Sequence, residues 1–269
     1  MSLPSRALGP VGGLILLVAL VVSSCGPFGS NLKLVAPKAS YQTGRQAGAS
    51  ATDLLTSKYF RSLVVEIQAA RGFAPSPESL LRLREFLEQR LDKPGGVTVT
   101  SVRELPASAQ APNYTVAEAR ALESKYRQNL PNSDQFALYV LFLDGASADA
   151  ASNASTKLIA QAYGNTSIVV FENTLRTEVA ARSGVPIWIA EAAYVEHEVG
   201  HLLGLVSTQA ASHADVAHPG HCRVGNCLMN SHGDTTELLD QLASSAVPAV
   251  TSVPALDPEC LKDLSALSK

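Results

Sequence analysis

His197 and His201 stand four residues apart, with Glu198 directly after the first. This spacing constrains the chain more than any other feature, because residues i and i+4 share a face only on an α-helix. On such a helix both imidazoles can bind one zinc ion, and Glu198 beside the first ligand can reach a water at the metal. The same spacing would suit two histidines on a solvated helix face, but further candidate ligands downstream argue against that. A four-coordinate catalytic zinc takes three protein ligands and leaves one position for water, so a third donor is expected elsewhere.

All six histidines fall between His197 and His232, crowding the chemistry into one stretch. The 269 residues are 46% hydrophobic, enough to fill a core and to exclude disorder for most of the chain. With 21 basic against 24 acidic residues there is no surplus of positive charge for a phosphate backbone, so nucleic acid is not expected as a partner.

Leu63 to Ile67 is a compact apolar run suited to a buried strand. Ser76-Pro77-Glu78 predicts a helix start, Leu80, Leu83, Leu87 and Leu91 give it one apolar face, and Pro94-Gly95-Gly96 stops it. Val97, Val99 and Val102 predict a second strand, and Thr115 with Glu118 is spaced as a capping box for a second helix. Phe136 to Leu143 reads as a central strand and Ser167 to Phe171 as another, before a helix from about Ile187 to Leu203. This order predicts a mixed α/β layer.

His197-Glu198-x-x-His201-x-x-Gly204 resembles the metzincin zinc metalloproteases, in which the glycine ends the active-site helix and the chain turns back to offer a third histidine. Ser207 stands where the compact motif has that histidine, which is a departure. His221-Cys222-Arg223-Val224-Gly225-Asn226-Cys227-Leu228-Met229 is similar to the stretch from third histidine to Met-turn in matrixin-like members, and its spelling is closer still to archaemetzincins. The resemblance implies an insertion, since 16 residues separate Gly204 from His221. Such lengthening costs only about 0.6 kcal/mol per doubling of a loop. His221 ranks first as third ligand, with His213 and His218 as rivals; His213, Asp215 and His218 are also a conceivable second metal set, and His232 a conceivable cleft residue.

What the resemblance implies is a metzincin-like α/β (α+β) fold: a mixed twisted sheet with backing helices, the active-site helix, then a small, mostly irregular C-terminal subdomain with one or two helices. It implies one catalytic Zn²⁺ on His197, His201 and His221, Glu198 as the base, Met229 in the Met-turn, and a peptide or protein as substrate. It further places Ser167 to Phe171 at the sheet edge that pairs with extended substrate. Glu237, with Asp240, would complete the zinc site in a gluzincin reading, and a lipoprotein that binds zinc without hydrolysis is the reading from a different class. Cys222 and Cys227 are close enough in sequence for a disulfide, with Cys260 as another conceivable end. In archaemetzincins cysteines at these places, with a later CxxC, hold a structural zinc; here Asp257-Pro258-Glu259-Cys260 leaves that set incomplete, and a disulfide is expected instead.

At the N-terminus an apolar run from Val11 to Val22 is too short to span a bilayer of about 30 Å and reads as a secretory signal. Its end, Val22-Ser23-Ser24-Cys25-Gly26, resembles a bacterial lipobox, implying lipidation of Cys25 and membrane attachment in the cell envelope, with the outer membrane favoured by Gly26. The expected organisation is a signal peptide at 1–24, a flexible tether at 25–57, a catalytic subdomain at 58–204, and a C-terminal subdomain at 205–269 carrying the third ligand and Met-turn.

Overall fold

The computed structural model describes residues 44–107, 111–149, 156–207, 212–244 and 252–268. The expected signal peptide, Cys25 and the tether as far as residue 43 lie outside the described residues. A mixed α/β sheet forms the framework. Strands β1 (Ser62–Ala69), β2 (Val97–Val99), β3 (Arg103–Glu104), β5 (Gln135–Leu143), β7 (Ala160–Ala162) and β8 (Ser167–Phe171) build it in the order β2-β1-β5-β8-β7, with β3 also paired to β1. All pairs are parallel except β7 with β8. The short strands β4 (Asn113–Tyr114) and β6 (Ala146–Ser147) pair separately.

Side-chain alternation along β5 divides the core into two layers. Phe136, Leu138, Val140 and Phe142 point into the larger cluster, together with residues of α2 (Pro77–Arg90), α4 (Glu172–Ala180) and α5 (Ile187–Leu202). Tyr139, Leu141 and Leu143 point into the smaller one, with Ala119, Leu122 and Tyr126 of α3 (Val116–Tyr126). The capping box of α3 is present: Thr115 Oγ1 accepts the Glu118 N–H at 3.2 Å, and Glu118 Oε2 accepts the Thr115 N–H at 2.7 Å. Ser76 stands at the N-cap of α2, but its N–H and hydroxyl both donate to Glu191 on α5, tying the two helices together.

Two expectations are corrected here. Ser167–Phe171 is not the sheet edge: β8 lies between β5 and β7, and the three-residue strand β7 is the edge. Residues 44–57 are not all tether, because α1 (Ala51–Leu55) buries Leu54 and Leu55 in the main core. The buried ammonium of Lys93 holds that segment by donating to the carbonyls of Asp53, Thr56 and Phe60 at 2.5–2.8 Å. The C-terminal part holds α6 (Glu237–Ser244) and α7 (Pro258–Leu267) in mostly irregular chain.

Because Leu55 is 1% exposed, Leu55→Ala should lower stability by about 2–5 kcal/mol, read as a shifted urea midpoint. A midpoint unchanged from the parent would return this segment to the tether.

Candidate metal centre

Helix α5 runs through the interior, with Ile189 to Gly200 buried throughout. It stops at Gly204, whose φ of +76° is the left-handed conformation that ends helices and that glycine adopts without strain. The side chain of His197 is fully buried, and its Nδ1 lies 2.6 Å from the Leu228 carbonyl. Nδ1–H therefore donates there, which fixes the tautomer and leaves Nε2 free as a ligand. His201 Nε2 lies 3.1 Å from His197 Nε2.

Gly220, at φ +92°, turns the chain just before His221, which lies against this pair. The three imidazole centroids are 4.8–5.3 Å apart. His221 is thus the histidine that the structure joins to His197 and His201. The rivals lie elsewhere: His213 is buried beside Asp263, 3.3 Å away, and His218 pairs with Asp215 at 2.8 Å with 59% of its side chain exposed. His213, Asp215 and His218 do not share a site. Glu237, 50% exposed, lies 3.7 Å from His232, and Asp240 pairs with Arg182, so the gluzincin alternative is not built and His232 sits with Glu237 instead.

Two glycines let other chain segments close on these histidines. A Cβ on Gly200 would come within 2.1 Å of Met229 Sδ, so the glycine of the helix motif makes room for the buried methionine. A Cβ on Gly233 would come within 2.0 Å of His197 Nδ1, so only glycine lets that turn lie on the ring.

Asp234, next in the chain, is a residue that sequence reasoning missed. Its Oδ1 lies 3.0 Å from His197 Nε2 and 3.8 Å from His201 Nε2, and its Oδ2 lies 3.1 Å from His221 Nε2. Burial pushes this carboxyl up, but the three imidazoles facing it outweigh that and hold Asp234 well below the usual carboxylate range. Glu198 goes the other way: burial, then the charge of Asp234, raise it well above the ordinary value. Its Oε2 accepts the Ala162 N–H from β7 at 2.6 Å, while the buried Oε1 has no hydrogen-bond partner.

The donor set fits zinc in type, being imidazole and carboxylate. His221 supports that fit, since both its ring nitrogens are buried without a hydrogen bond of acceptable geometry although Asp234 is in reach. Nitrogens directed at a common point with no proton to share suit a metal better than a network of hydrogen bonds.

A second donor cluster lies beside the first. Cys222, Cys227, Cys260 and Asp257 place their ligand atoms within 4.8 Å of one another. The expected disulfide is absent: all three cysteines are free thiols, and the Cys227 and Cys260 sulfurs lie 3.6 Å apart, far from a bond of about 2.05 Å. The physical reason is the fold around them. Cys222 Sγ donates to Asp257 Oδ2 at 2.8 Å, and the Met229 and Asp257 N–H groups, each 3.4 Å away, point at Cys227 Sγ. Burial pushes the Cys222 thiol up to about 12, whereas the hydrogen bond from Cys260 holds Cys227 below its ordinary value. Three sulfurs and one carboxylate are a donor set of the structural-zinc kind, with Asp257 in place of a fourth cysteine.

Two solved structures resemble the chain. An archaemetzincin from Methanopyrus kandleri is 21% identical, with a TM-score of 0.47 over 77% of this chain and 95% of its own. A zinc-dependent peptidase from Methanocorpusculum labreanum is 15% identical, with a TM-score of 0.46 over 75% of this chain and 99% of its own. No family model matches the sequence, and no curated protein does.

Metal analysis of zinc-loaded protein should find about two ions per chain, falling to about one in His221→Ala and in Cys260→Ser. One ion in the parent, retained by Cys260→Ser, would show that the sulfur cluster holds none. Full loading of His221→Ala would place the third ligand elsewhere.

Proposed function

We propose that the chain is a zinc-dependent peptidase and that its reaction centre is His197, His201 and His221 with Glu198. The observation that carries this reading is a buried carboxylate on the residue next to a fully buried histidine whose Nε2 meets two further imidazoles. A metal store has no need of a base at that position. Bound zinc supplies Lewis acidity, polarising a carbonyl and drawing the pKa of a water toward about 7.

The chain's own residues do the rest. Glu198 Oε1, free of protein partners, is placed to take the proton from the attacking water and pass it to the leaving amine. Its other oxygen is held by the Ala162 amide, so the carboxylate keeps one orientation. The Leu228 carbonyl keeps His197 in the tautomer that frees Nε2. Extended substrate would pair along the edge strand β7, main chain to main chain, next to the Ala162 amide that orients Glu198.

Attachment through a lipid on Cys25, in the bacterial envelope and on the outer membrane, is the reading supported by Val22-Ser23-Ser24-Cys25-Gly26. Cys25→Ser should move the protein from the membrane fraction to the soluble one; unchanged fractionation would end that reading.

Cleavage of a broad peptide library by the zinc-loaded protein tests the activity. Glu198→Gln should keep its zinc and lose about 10²–10⁴-fold in rate. Zinc binding with no cleavage by the parent would assign a non-catalytic metal-binding role.

A further inference from the structure

We infer that Asp234 is a fourth ligand carried by the chain itself, which caps the metal centre at rest and has to swing away before a peptide can react. This rests on the zinc reading above. In a tetrahedral site with zinc bonds of about 2.0–2.1 Å, neighbouring donors lie about 3.3–3.4 Å apart. The observed separations are 3.1 Å between His197 and His201, 3.0 and 3.8 Å from Asp234 Oδ1 to His197 and His201, and 3.1 Å from Asp234 Oδ2 to His221. The carboxylate, its two oxygens shared among the three imidazoles, thus stands on the side that they leave open.

Its position is built by the backbone. The Ile159 N–H donates to the Asp234 carbonyl at 2.8 Å, and the Thr236 N–H donates to the Lys157 carbonyl at 3.0 Å. Leu158 and Thr235 form an antiparallel bridge between them, so residues 234–236 are strapped to the chain that leads into β7. From α5 the Tyr194 hydroxyl donates to the Thr235 carbonyl at 2.7 Å. On the other side, Gly233 lets the turn press on the His197 ring.

A closed set of four protein donors is the structural kind of zinc site, whereas hydrolysis needs an open position. The partnerless Glu198 Oε1 beside this set has a use only if one donor leaves. His197 and His201 are fixed on a buried helix, but Asp234 sits in a short 3-10 turn, Ser231–Asp234, with 27% of its side chain exposed. A peptide pairing along β7 approaches the strap and the capped corner together, so substrate binding and uncapping are coupled.

The test uses the full-length zinc-loaded protein and acetohydroxamate, a small chelating probe that needs the open position. A capped state lowers the apparent affinity in proportion to the uncapped fraction. Asp234→Ala should therefore bind the probe about tenfold or more tightly than the parent by calorimetry, and should lose zinc faster to a competing chelator. Asp234→Asn, which keeps the shape but is a poorer ligand, should shift both readouts the same way and guards against misfolding of the alanine variant. Equal probe affinity and equal zinc retention in all three proteins would overturn the cap while leaving the zinc reading intact. Failure of the parent to retain zinc at the histidines, seen as equal loading in the parent and in a His197→Ala/His201→Ala double variant, would overturn both.

Discussion

The structure depends on burying a helix that carries polar groups on nearly every side. Along α5 the residues Glu191, Tyr194, Glu196, His197 and Glu198 are all buried, and a buried polar group without a partner costs about 1–3 kcal/mol. Each therefore recruits a different part of the chain. Glu191 takes Ser76 before α2, and Glu196 takes Arg82 within α2 at 3.0 Å. Glu198 takes the amide of Ala162 in β7, His197 the carbonyl of Leu228, and Tyr194 the carbonyl of Thr235. The helix is consequently the hub to which the sheet edge, the Met229 turn and the capping strap are each tied by one bond. Burial raises Glu196 to about 8, with Arg82 opposing the rise, so even the salt bridge on the far side reflects the cost of desolvation.

Close approach is the second requirement, and three glycines meet it. Gly200 admits Met229, Gly233 admits its own turn to the His197 ring, and Gly204 takes the left-handed conformation that frees the chain after α5. None of the three positions tolerates a side chain without movement of something already packed, so their identity belongs to the geometry of the histidines. Between Gly204 and His221 the chain is itself held at residues 213–215, where Ala214 bridges to Cys222 and the Asp215 N–H donates to the His221 carbonyl at 2.8 Å.

What the sequence makes legible follows from how many residues share a signal. The apolar runs at Leu63–Ile67, Phe136–Leu143 and Ser167–Phe171, the capping box at Thr115 and the helix with His197 and His201 all carry repeated or paired cues, and the structure has an element at each. Strand β7 has three residues, Ala160–Ala162, too few for alternation to show, so the edge was assigned to its neighbour β8. Helix α1 spans five residues in an Ala- and Ser-rich stretch, and a buried lysine nearly forty positions away secures it. Asp234 follows Met229 by five residues with no periodic cue, and its approach to three histidines exists only in the folded chain.

Asp257 shows why the sulfur cluster reads as incomplete by motif. Its Oδ1 accepts the N–H groups of Glu259 and Cys260 as the N-cap of α7, while its Oδ2 accepts from Cys222. One carboxylate thus starts a helix and stands in for a sulfur ligand, and only the first role has a sequence signature. The two donor clusters are also joined covalently, since His221 and Cys222 are adjacent and Met229 follows Cys227 by two residues. The Cys222 N–H donates to the Met229 carbonyl at 2.7 Å, and the Cys222 carbonyl accepts from the Asn230 side chain at 3.0 Å. Anything that holds the sulfurs together therefore fixes the segment that presents His221. The third ligand is thus held from both directions, by the pairing of residues 213–215 with 221–223 before it and by the Met229 carbonyl on Cys222 after it, which explains how the insertion is accommodated without loosening the centre.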